Sequence, residues 1–195
     1  MDLIEVERKR ELADSDTLRR RLAELGYHEI SSLTEIDTYY SRPDVDYMET
    51  VECLRVRQRD GSAEITYKPP SNTATHSDRG VIAKREINVR LTDARQSGSA
   101  NALLEAVGMI ELVRVDKART TYRRPGDDDT IISIDILAGV GSFVETEILS
   151  TNSEDAATQL EDIEQAIGIS ADPIVRLPYR DLVLQARQQY EECGK

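Results

Sequence analysis

The sequence predicts a single α+β domain in which an antiparallel β-sheet of about eight strands is flanked by helices. Three observations lead to this prediction. At 195 residues the chain has the length of one ordinary domain. About eight segments alternate apolar and polar residues with a period of two, and four others repeat apolar residues with helical spacing. No linker, internal repeat or low-complexity tract divides the chain, so residues 1–195 are expected to form one domain.

The strands are predicted from alternation, because successive side chains of a strand point to opposite faces. The predicted strands cover residues 3–10, 35–41, 51–59, 63–69, 81–91, 112–124, 130–137 and 142–149. Asp60-Gly61 is typical of a tight hairpin turn between the third and fourth of them. Asp127, Asp128 and Asp129 lie in the turn before the seventh.

The helices are predicted from apolar residues that recur three or four positions apart. They cover residues 15–25, 100–107 and 154–167, and a last helix begins near Pro178 and extends to Gln188 or beyond. The first and third end at Gly26 and Gly168, as helices commonly do. Proline at the start of the last helix suits a first helical turn.

Composition excludes several classes of protein. Acidic residues outnumber basic ones by 37 to 25, and the formal net charge of −12 argues against broad nucleic-acid binding, which needs a basic face. No apolar run is long enough to span a membrane, and the N-terminus lacks the layout of a secretion signal. Two cysteines cannot build a disulfide framework, so we expect a cytoplasmic protein. Whether it forms a homodimer is left open.

Charged residues recur on one face of strand after strand, with apolar residues on the other face. The charged or polar faces carry Glu5, Glu7 and Lys9; Arg55, Arg57 and Arg59; Glu64, Thr66 and Lys68; Lys84, Glu86, Asn88 and Arg90; Lys117, Arg119 and Arg123; Ser133 and Asp135; and Glu145 and Glu147. Two interpretations are open. The faces form either the solvated side of a sheet or the interior of a closed barrel.

A charged barrel interior would need counter-charges, because isolated ions are costly to bury. Glutamate oxygens suit Mg²⁺ or Mn²⁺, and arginine and lysine suit phosphate oxygens. A metal-bound polyphosphate would therefore satisfy both sets of side chains at once.

Ordered motifs along nearly the whole chain resemble the CYTH superfamily, also called triphosphate tunnel metalloenzymes. Glu5-Val6-Glu7-Arg8-Lys9 resembles its E-x-E-x-K signature, and Gly141-Ser142-Phe143-Val144-Glu145-Thr146-Glu147 its G-x-F-x-E-x-E. The remaining similar segments are Asp37-Thr38-Tyr39-Tyr40-Ser41-Arg42-Pro43, Leu54-Arg55-Val56-Arg57, Thr66-Tyr67-Lys68-Pro69, Lys84-Arg85-Glu86, Lys117-Ala118-Arg119, Asp135 and Pro178-Tyr179-Arg180-Asp181-Leu182.

This resemblance implies an eight-stranded antiparallel tunnel that holds a triphosphate and Mg²⁺ or Mn²⁺. By position, the implied metal ligands are Glu5, Glu7, Glu145, Glu147 and Asp135. The implied phosphate ligands are Lys9, Arg55, Arg57, Lys68, Lys84, Lys117 and Arg119. Lys9, Arg119 and Glu86 are the implied catalytic residues. Asn88 departs from the pattern, since many members have a second acidic residue there.

The segments at 37–43 and 66–69 resemble the class IV adenylate cyclase branch, which implies conversion of ATP to cyclic AMP and pyrophosphate. A triphosphatase acting on inorganic triphosphate or thiamine triphosphate is the alternative, because both activities share the phosphate ligands. A non-catalytic module that binds polyphosphate or a nucleotide is a further alternative. It could dispense with the metal carboxylates, all of which are present, so the sequence favours an enzyme.

Overall fold

The computed structural model describes residues 4–70 and 82–193, with side chains for 4–70 and 85–190. In this part of the chain the backbone forms nine strands and four helices. The strands are β1 (Ile4–Glu11), β2 (His28–Ser41), β3 (Cys53–Arg59), β4 (Ser62–Lys68), β5 (Ile82–Lys84), β6 (Ile87–Leu91), β7 (Ile110–Arg123), β8 (Thr130–Leu137) and β9 (Gly141–Ser150). The helices are α1 (Ser15–Glu24), α2 (Gln96–Ala106), α3 (Ser153–Ile167) and α4 (Tyr179–Cys193). Leu3 and Val81 of the predicted strands lie outside the described residues.

The nine strands form one antiparallel sheet that curls round into a barrel. Their order across the sheet is β5-β1-β9-β8-β7-β2-β3-β4-β6. The two end strands are neighbours in the chain, separated only by Arg85 and Glu86; β5 pairs with β1, and β6 pairs with β4. The predicted antiparallel barrel is therefore confirmed. The strand predicted at 81–91 is instead two short strands, because its halves pair with opposite edges of the sheet.

The predicted tight turn is confirmed between β3 and β4, where Arg59 pairs with Ser62 and leaves Asp60 and Gly61 as the two turn residues. Gly61 has a φ of 77°, which the turn requires and a residue with a side chain adopts at a cost. The carboxylate of Asp127 accepts hydrogen bonds from the backbone of Asp129 and Thr130, which forms the turn before β8. Both turns keep their flanking strands in register.

Strand β2 begins at His28, seven residues before the predicted start at residue 35. Its pairing with β7 is interrupted by a register shift between Glu29 and Ser31, and that irregularity obscures the alternation in the sequence. The extra length matters for the interior, because it brings Ser31 and Leu33 into the barrel.

The helices cover the apolar outer face of the barrel. From α1, Leu18 and Leu22 pack with Ile132 and Val144, and Leu160 of α3 packs in a second cluster. Helix α2 packs against β3 and β4, and α4 lies against β7. The helix predicted at 100–107 begins earlier, at residue 96. None of these helices in the described residues is long and apolar enough to cross a membrane.

A buried ionic cluster fastens α3 to the outer face of β1. Arg8 Nη1 donates to Glu164 Oε2 at 2.8 Å, and Arg10 Nη2 donates to the same oxygen at 2.7 Å. All three side chains are at least nine-tenths buried. Because Glu5, Glu7 and Lys9 alternate with the two arginines on β1, this cluster holds the strand with those three side chains directed inward.

The segment that precedes α4 crosses one end of the barrel. The backbone N–H of Val175 donates to the carbonyl of Lys9 at 2.9 Å, and that of Glu11 donates to the carbonyl of Pro173 at 3.0 Å. Further on, the buried Arg180 donates to the carbonyls of Glu52 at 2.9 Å and Tyr47 at 3.2 Å. The segment is therefore bonded to β1, and the first turn of α4 is bonded to the loop before β3.

Candidate active site

The interior of the barrel is a cavity of about 460 Å³ lined by side chains from strands on every side. Alternation on each strand directs one residue in two into it. The predicted site residues that line it are Glu5, Glu7, Lys9, Arg55, Arg57, Lys68, Glu86, Lys117, Arg119, Glu145 and Glu147. The charged faces are therefore the interior of a barrel, and the interpretation as a solvated outer face is wrong.

Four glutamates surround one lysine in part of the cavity; we call Glu5, Glu7, Glu86 and Glu147 the acidic cluster. Lys68 Nζ lies 2.9 Å from Glu5 Oε1 and 3.9 Å from Glu7 Oε1, and it also pairs with Glu86. Glu147 is directly opposite Glu7 in the β1–β9 register. One ammonium group cannot balance this number of carboxylates, so the cluster has an excess of negative charge when all are ionised.

That excess is visible in the pKa values of the cluster. Burial raises the pKa of Glu5 to about 9, an effect that Lys68 opposes and that Glu7 and Glu147 increase. Burial, followed by the charge of Glu7, also raises the pKa of Glu147. Such a set of hard oxygen donors is chemically suited to a divalent cation. Among the described residues no three such side chains converge as a formed metal site, and Lys68 lies among them instead.

Glu86 differs from the other carboxylates of the cluster. Burial opposes its ionisation, but Lys68 and Arg55 lower its pKa to about 2, and Asn88 adds a hydrogen bond from Nδ2 at 3.1 Å. Asn88 thus holds Glu86 in place rather than adding a charge. Lys84 is opposite Glu5 in the β1–β5 register, and its side chain lies outside the described ones.

The cationic side chains gather next to the acidic cluster; we call Lys9, Arg55, Arg57, Lys117 and Arg119 the basic centre. Arg119 pairs with both Asp135 and Glu145, and Lys117 Nζ lies 3.5 Å from Asp135 Oδ2. Asp135 is fully buried behind these cations. Two of the predicted metal ligands, Asp135 and Glu145, are therefore bonded to cations of the basic centre.

Two buried carboxylates on β2, Glu35 and Asp37, were not among the predicted site residues. Glu35 lies 2.6 Å from Arg59, 3.1 Å from Lys117 and 3.3 Å from Arg57. Asp37 accepts two hydrogen bonds from Arg57, at 2.6 and 2.7 Å. The alternation that places Asp37 on the inner face also places Glu35 there, and both lie within the strand predicted at 35–41, so the same pattern could have identified them.

These carboxylates remain ionised despite their burial. Burial alone would raise the pKa of Glu35, but Arg57, Lys117 and Arg119 together hold it well below its usual range. The pKa of Asp37 is likewise lowered, against the effect of burial, by Arg57 and Arg55. Arg57 is thus held between two anions and has little capacity left for a ligand.

Arg55 is the arginine of the basic centre that keeps a hydrogen-bond donor available for a ligand. Its nearest carboxylate oxygen, Oδ2 of Asp37, is 3.9 Å away. Its Nε is buried and has no hydrogen-bond partner in the part of the chain that the structure describes. A buried donor without a partner is costly, and an anion in the cavity would satisfy it.

Tyr179 lines the end of the cavity that the segment before α4 crosses. Lys9 Nζ lies 4.0 Å and Lys117 Nζ 4.9 Å from the centre of its ring, and Phe143 contacts the ring edge at a centroid distance of 5.4 Å. A ring face attracts cations, so Tyr179 holds two lysines of the basic centre near each other. Burial lowers the pKa of both lysines.

Of the other residues on the predicted charged or polar faces, Glu64, Asn88, Arg90 and Ser133 also line the cavity. Arg59 lines the cavity and binds Glu35, whereas Arg123 lies 3.8 Å from the exposed Asp128. Cys53 lines the cavity, and burial raises the pKa of its thiol. Neither Arg123 nor Cys53 belongs to the acidic cluster or to the basic centre.

The CYTH domain model matches residues 3–176, which is most of the chain. The chain belongs to the CYTH family. A protein of Methanocaldococcus jannaschii described as a "putative adenylate cyclase" is 31% identical over 183 residues, which cover 92% of this chain and 98% of that protein. The family resemblance of the sequence motifs is thereby confirmed.

Two solved structures share the CYTH fold of this chain. A "putative adenylate cyclase" of Vibrio parahaemolyticus has a TM-score of 0.77 at 18% identity, over 94% of this chain and 99% of that one. A Hippeastrum protein described as a "putative adenylyl cyclase" with a dominant triphosphatase activity has a TM-score of 0.62 at 17% identity, over 86% and 89%. At these identities the two structures bear on the fold.

Proposed function

We propose that this CYTH protein is a divalent-metal-dependent enzyme that acts on a triphosphate, with adenylate cyclase activity as the first candidate reaction. One observation carries the proposal: a single cavity contains both an acidic cluster with excess negative charge and a basic centre in which, among the described residues, Arg55 Nε has no hydrogen-bond partner. A metal-bound triphosphate is complementary to both.

The acidic cluster supports the choice of Mg²⁺ or Mn²⁺. Glu5, Glu7 and Glu147 would hold the ion, because their oxygens are suitable donors and their shared charge is only partly balanced by Lys68. Glu145 and Asp135 would contribute only if they released Arg119 and Lys117. When bound, such an ion neutralises phosphate charge and polarises a reacting oxygen.

The basic centre would bind and orient the phosphate chain. Arg55 donates from its free Nε, and Lys9, next to Tyr179, supplies a positive charge at the far end of the cavity. Arg119 has the same role beside Glu145, while Arg57 is held by Asp37 and Glu35 and acts mainly by positioning. Glu86 keeps Lys68 in place. Positioning and charge neutralisation are most of what phosphoryl transfer requires.

The adenylate cyclase reaction follows if the ribose 3′-oxygen of ATP attacks the α-phosphorus. The new O–P bond closes the cyclic AMP ring, the bond from the α-phosphorus to the bridging oxygen breaks, pyrophosphate leaves, and the proton of the 3′-hydroxyl is released to solvent. The 31% identical relative from M. jannaschii, with its "putative adenylate cyclase" name, supports this reaction as the first candidate.

Triphosphatase activity is the second candidate. Here water attacks the terminal phosphorus, the bond from that phosphorus to its bridging oxygen breaks, and the products are orthophosphate and the remaining diphosphate. The substrate is inorganic triphosphate, thiamine triphosphate or a nucleotide. The structural neighbour from Hippeastrum, whose description names a dominant triphosphatase activity, favours it. Because both reactions use the same phosphate-binding side chains, the product decides between them.

The test is product identification with purified protein. ATP, inorganic triphosphate and thiamine triphosphate are each incubated with Mg²⁺ and with Mn²⁺. Cyclic AMP with pyrophosphate supports the cyclase, and orthophosphate supports the triphosphatase. Tight binding without turnover of any of them would contradict both and leave a binding module. Glu7→Gln should lose most of the metal-dependent activity. Glu11→Gln, at an exposed position on the same strand, is its control and should keep that activity.

A further inference from the structure

Part of the cavity wall has no charge. We call Ser31, Leu33, Thr121, Ile131 and Ser133, which come from β2, β7 and β8, the neutral wall. All five line the same cavity as the acidic cluster and the basic centre. Everywhere else on the barrel interior described above, charged side chains predominate, so this wall offers a different chemistry to a ligand.

The three hydroxyls of the neutral wall form a row across adjacent strands. Ser31 is directly opposite Thr121, and Thr121 is directly opposite Ser133. Neighbouring strands lie about 4.8 Å apart, so the row is about 10 Å long, comparable to the long dimension of a nucleoside. Within the described residues no side-chain hydrogen bond engages these hydroxyls, so all three can bond to a ligand.

The neutral wall adjoins the residues proposed to bind the triphosphate. Ser133 is opposite Glu145, Leu33 is opposite Arg119, and Ile131 is opposite Glu147. A group attached to the first phosphate of a chain bound at Arg119 would therefore lie against Leu33 and the hydroxyl row. Leu33 and Ile131 are only partly buried, and a flat ring packed on them would remove apolar surface from water.

We propose that the neutral wall is the subsite for a nucleoside, whose sugar hydroxyls and ring nitrogens bond to Ser31, Thr121 and Ser133 and whose base packs on Leu33 and Ile131. The substrate class is then a nucleoside triphosphate rather than inorganic triphosphate. This inference rests on the proposed function and specifies its substrate. An inorganic chain has no atoms to contact the neutral wall, whereas a nucleoside contacts all of it.

The test compares ATP with inorganic triphosphate in the wild type and in the Ser31→Ala/Thr121→Val double variant. Valine has nearly the shape of threonine and suits a strand, so the barrel is retained. Ser32→Ala, on the outward face of β2, is the matched control. The dissociation constants are measured by calorimetry in EDTA, and the KM values in Mn²⁺.

The double variant is expected to weaken ATP binding and raise the KM for ATP about tenfold, since each lost hydrogen bond contributes roughly a factor of two to ten. The dissociation constant and KM for inorganic triphosphate should change less than about twofold in the double variant. Ser32→Ala should leave these constants unchanged for both ligands. An equal loss of affinity for both ligands, or no loss of affinity for ATP, would overturn the proposed subsite but not the proposed function. A wild type that binds neither ligand in EDTA and turns over neither in Mn²⁺ would overturn the proposed function itself, and the subsite with it.

Discussion

Lys68 of β4 and Glu5 of β1 form an ion pair inside the barrel, with Nζ 2.9 Å from Oε1. The two strands are not hydrogen-bonded to each other, since β1 and β4 lie near opposite ends of the sheet, next to its end strands β5 and β6. The pair therefore exists only because the barrel closes. It also places a cation within the group of carboxylates proposed to hold a metal ion.

Lys68→Met should destabilise the protein in EDTA by about 3 kcal/mol, because Glu7 and Glu86 lose a buried counter-charge. Added Mn²⁺ should restore more stability to this variant than it adds to the wild type, because the ion takes over the role of the ammonium group. Urea unfolding with and without Mn²⁺ measures both effects, and Lys68→Arg is the control. Equal stabilisation of all three proteins by Mn²⁺ would refute the proposed metal position.

Asp37→Asn should lower the free energy of unfolding by about 3 kcal/mol, because Arg57 loses a buried bidentate partner. Asp44→Asn is the matched control, since Asp44 also pairs with an arginine, Arg42, but is exposed to solvent. That control should lose less than about 1 kcal/mol. Similar losses in the two variants, measured by urea unfolding, would show that the Asp37–Arg57 pair is not a special determinant of stability.

The stabilising effect of Asp37 should depend on pH. Its pKa is lower in the folded protein than in the unfolded chain, so its contribution is complete above the unfolded value of about 3.9 and is lost as the pH falls below it. The difference in unfolding free energy between wild type and Asp37→Asn should therefore be constant above about pH 5 and shrink below about pH 4. A difference that grows on acidification has the wrong sign for this account.

Glu164→Gln should destabilise the protein by about 3 kcal/mol, because the buried Arg8 and Arg10 share that carboxylate. Glu161→Gln is the control on the same helix, as its side chain is 45% exposed and lies 3.5 Å from Arg8. The control should change stability by less than about 1 kcal/mol. The midpoints of thermal unfolding of the two variants are compared. Equal midpoints would contradict a special role of Glu164 in stability.

Much of the fold and the candidate site could be predicted because alternation determines which side chains share a face. It placed Glu5, Glu7 and Lys9 on one face of their strand, and the family resemblance implied that this face lines a tunnel. It could not show which charges meet across the barrel, since pairs such as Lys68 with Glu5 depend on closure. Alternation also could not reveal that Arg8 and Arg10 are buried, because only the packing of α3 supplies Glu164.

Metal-dependent turnover of a triphosphate tests the central claim most directly. The wild type and Glu7→Gln are treated with EDTA, and the rate of product formation from ATP and from inorganic triphosphate is then measured as Mg²⁺ or Mn²⁺ is added. We expect the wild type to be inactive in EDTA and to regain activity with metal, while Glu7→Gln remains folded and regains little. Turnover that is unaffected by EDTA, or no turnover of either triphosphate at any metal concentration, would contradict the account.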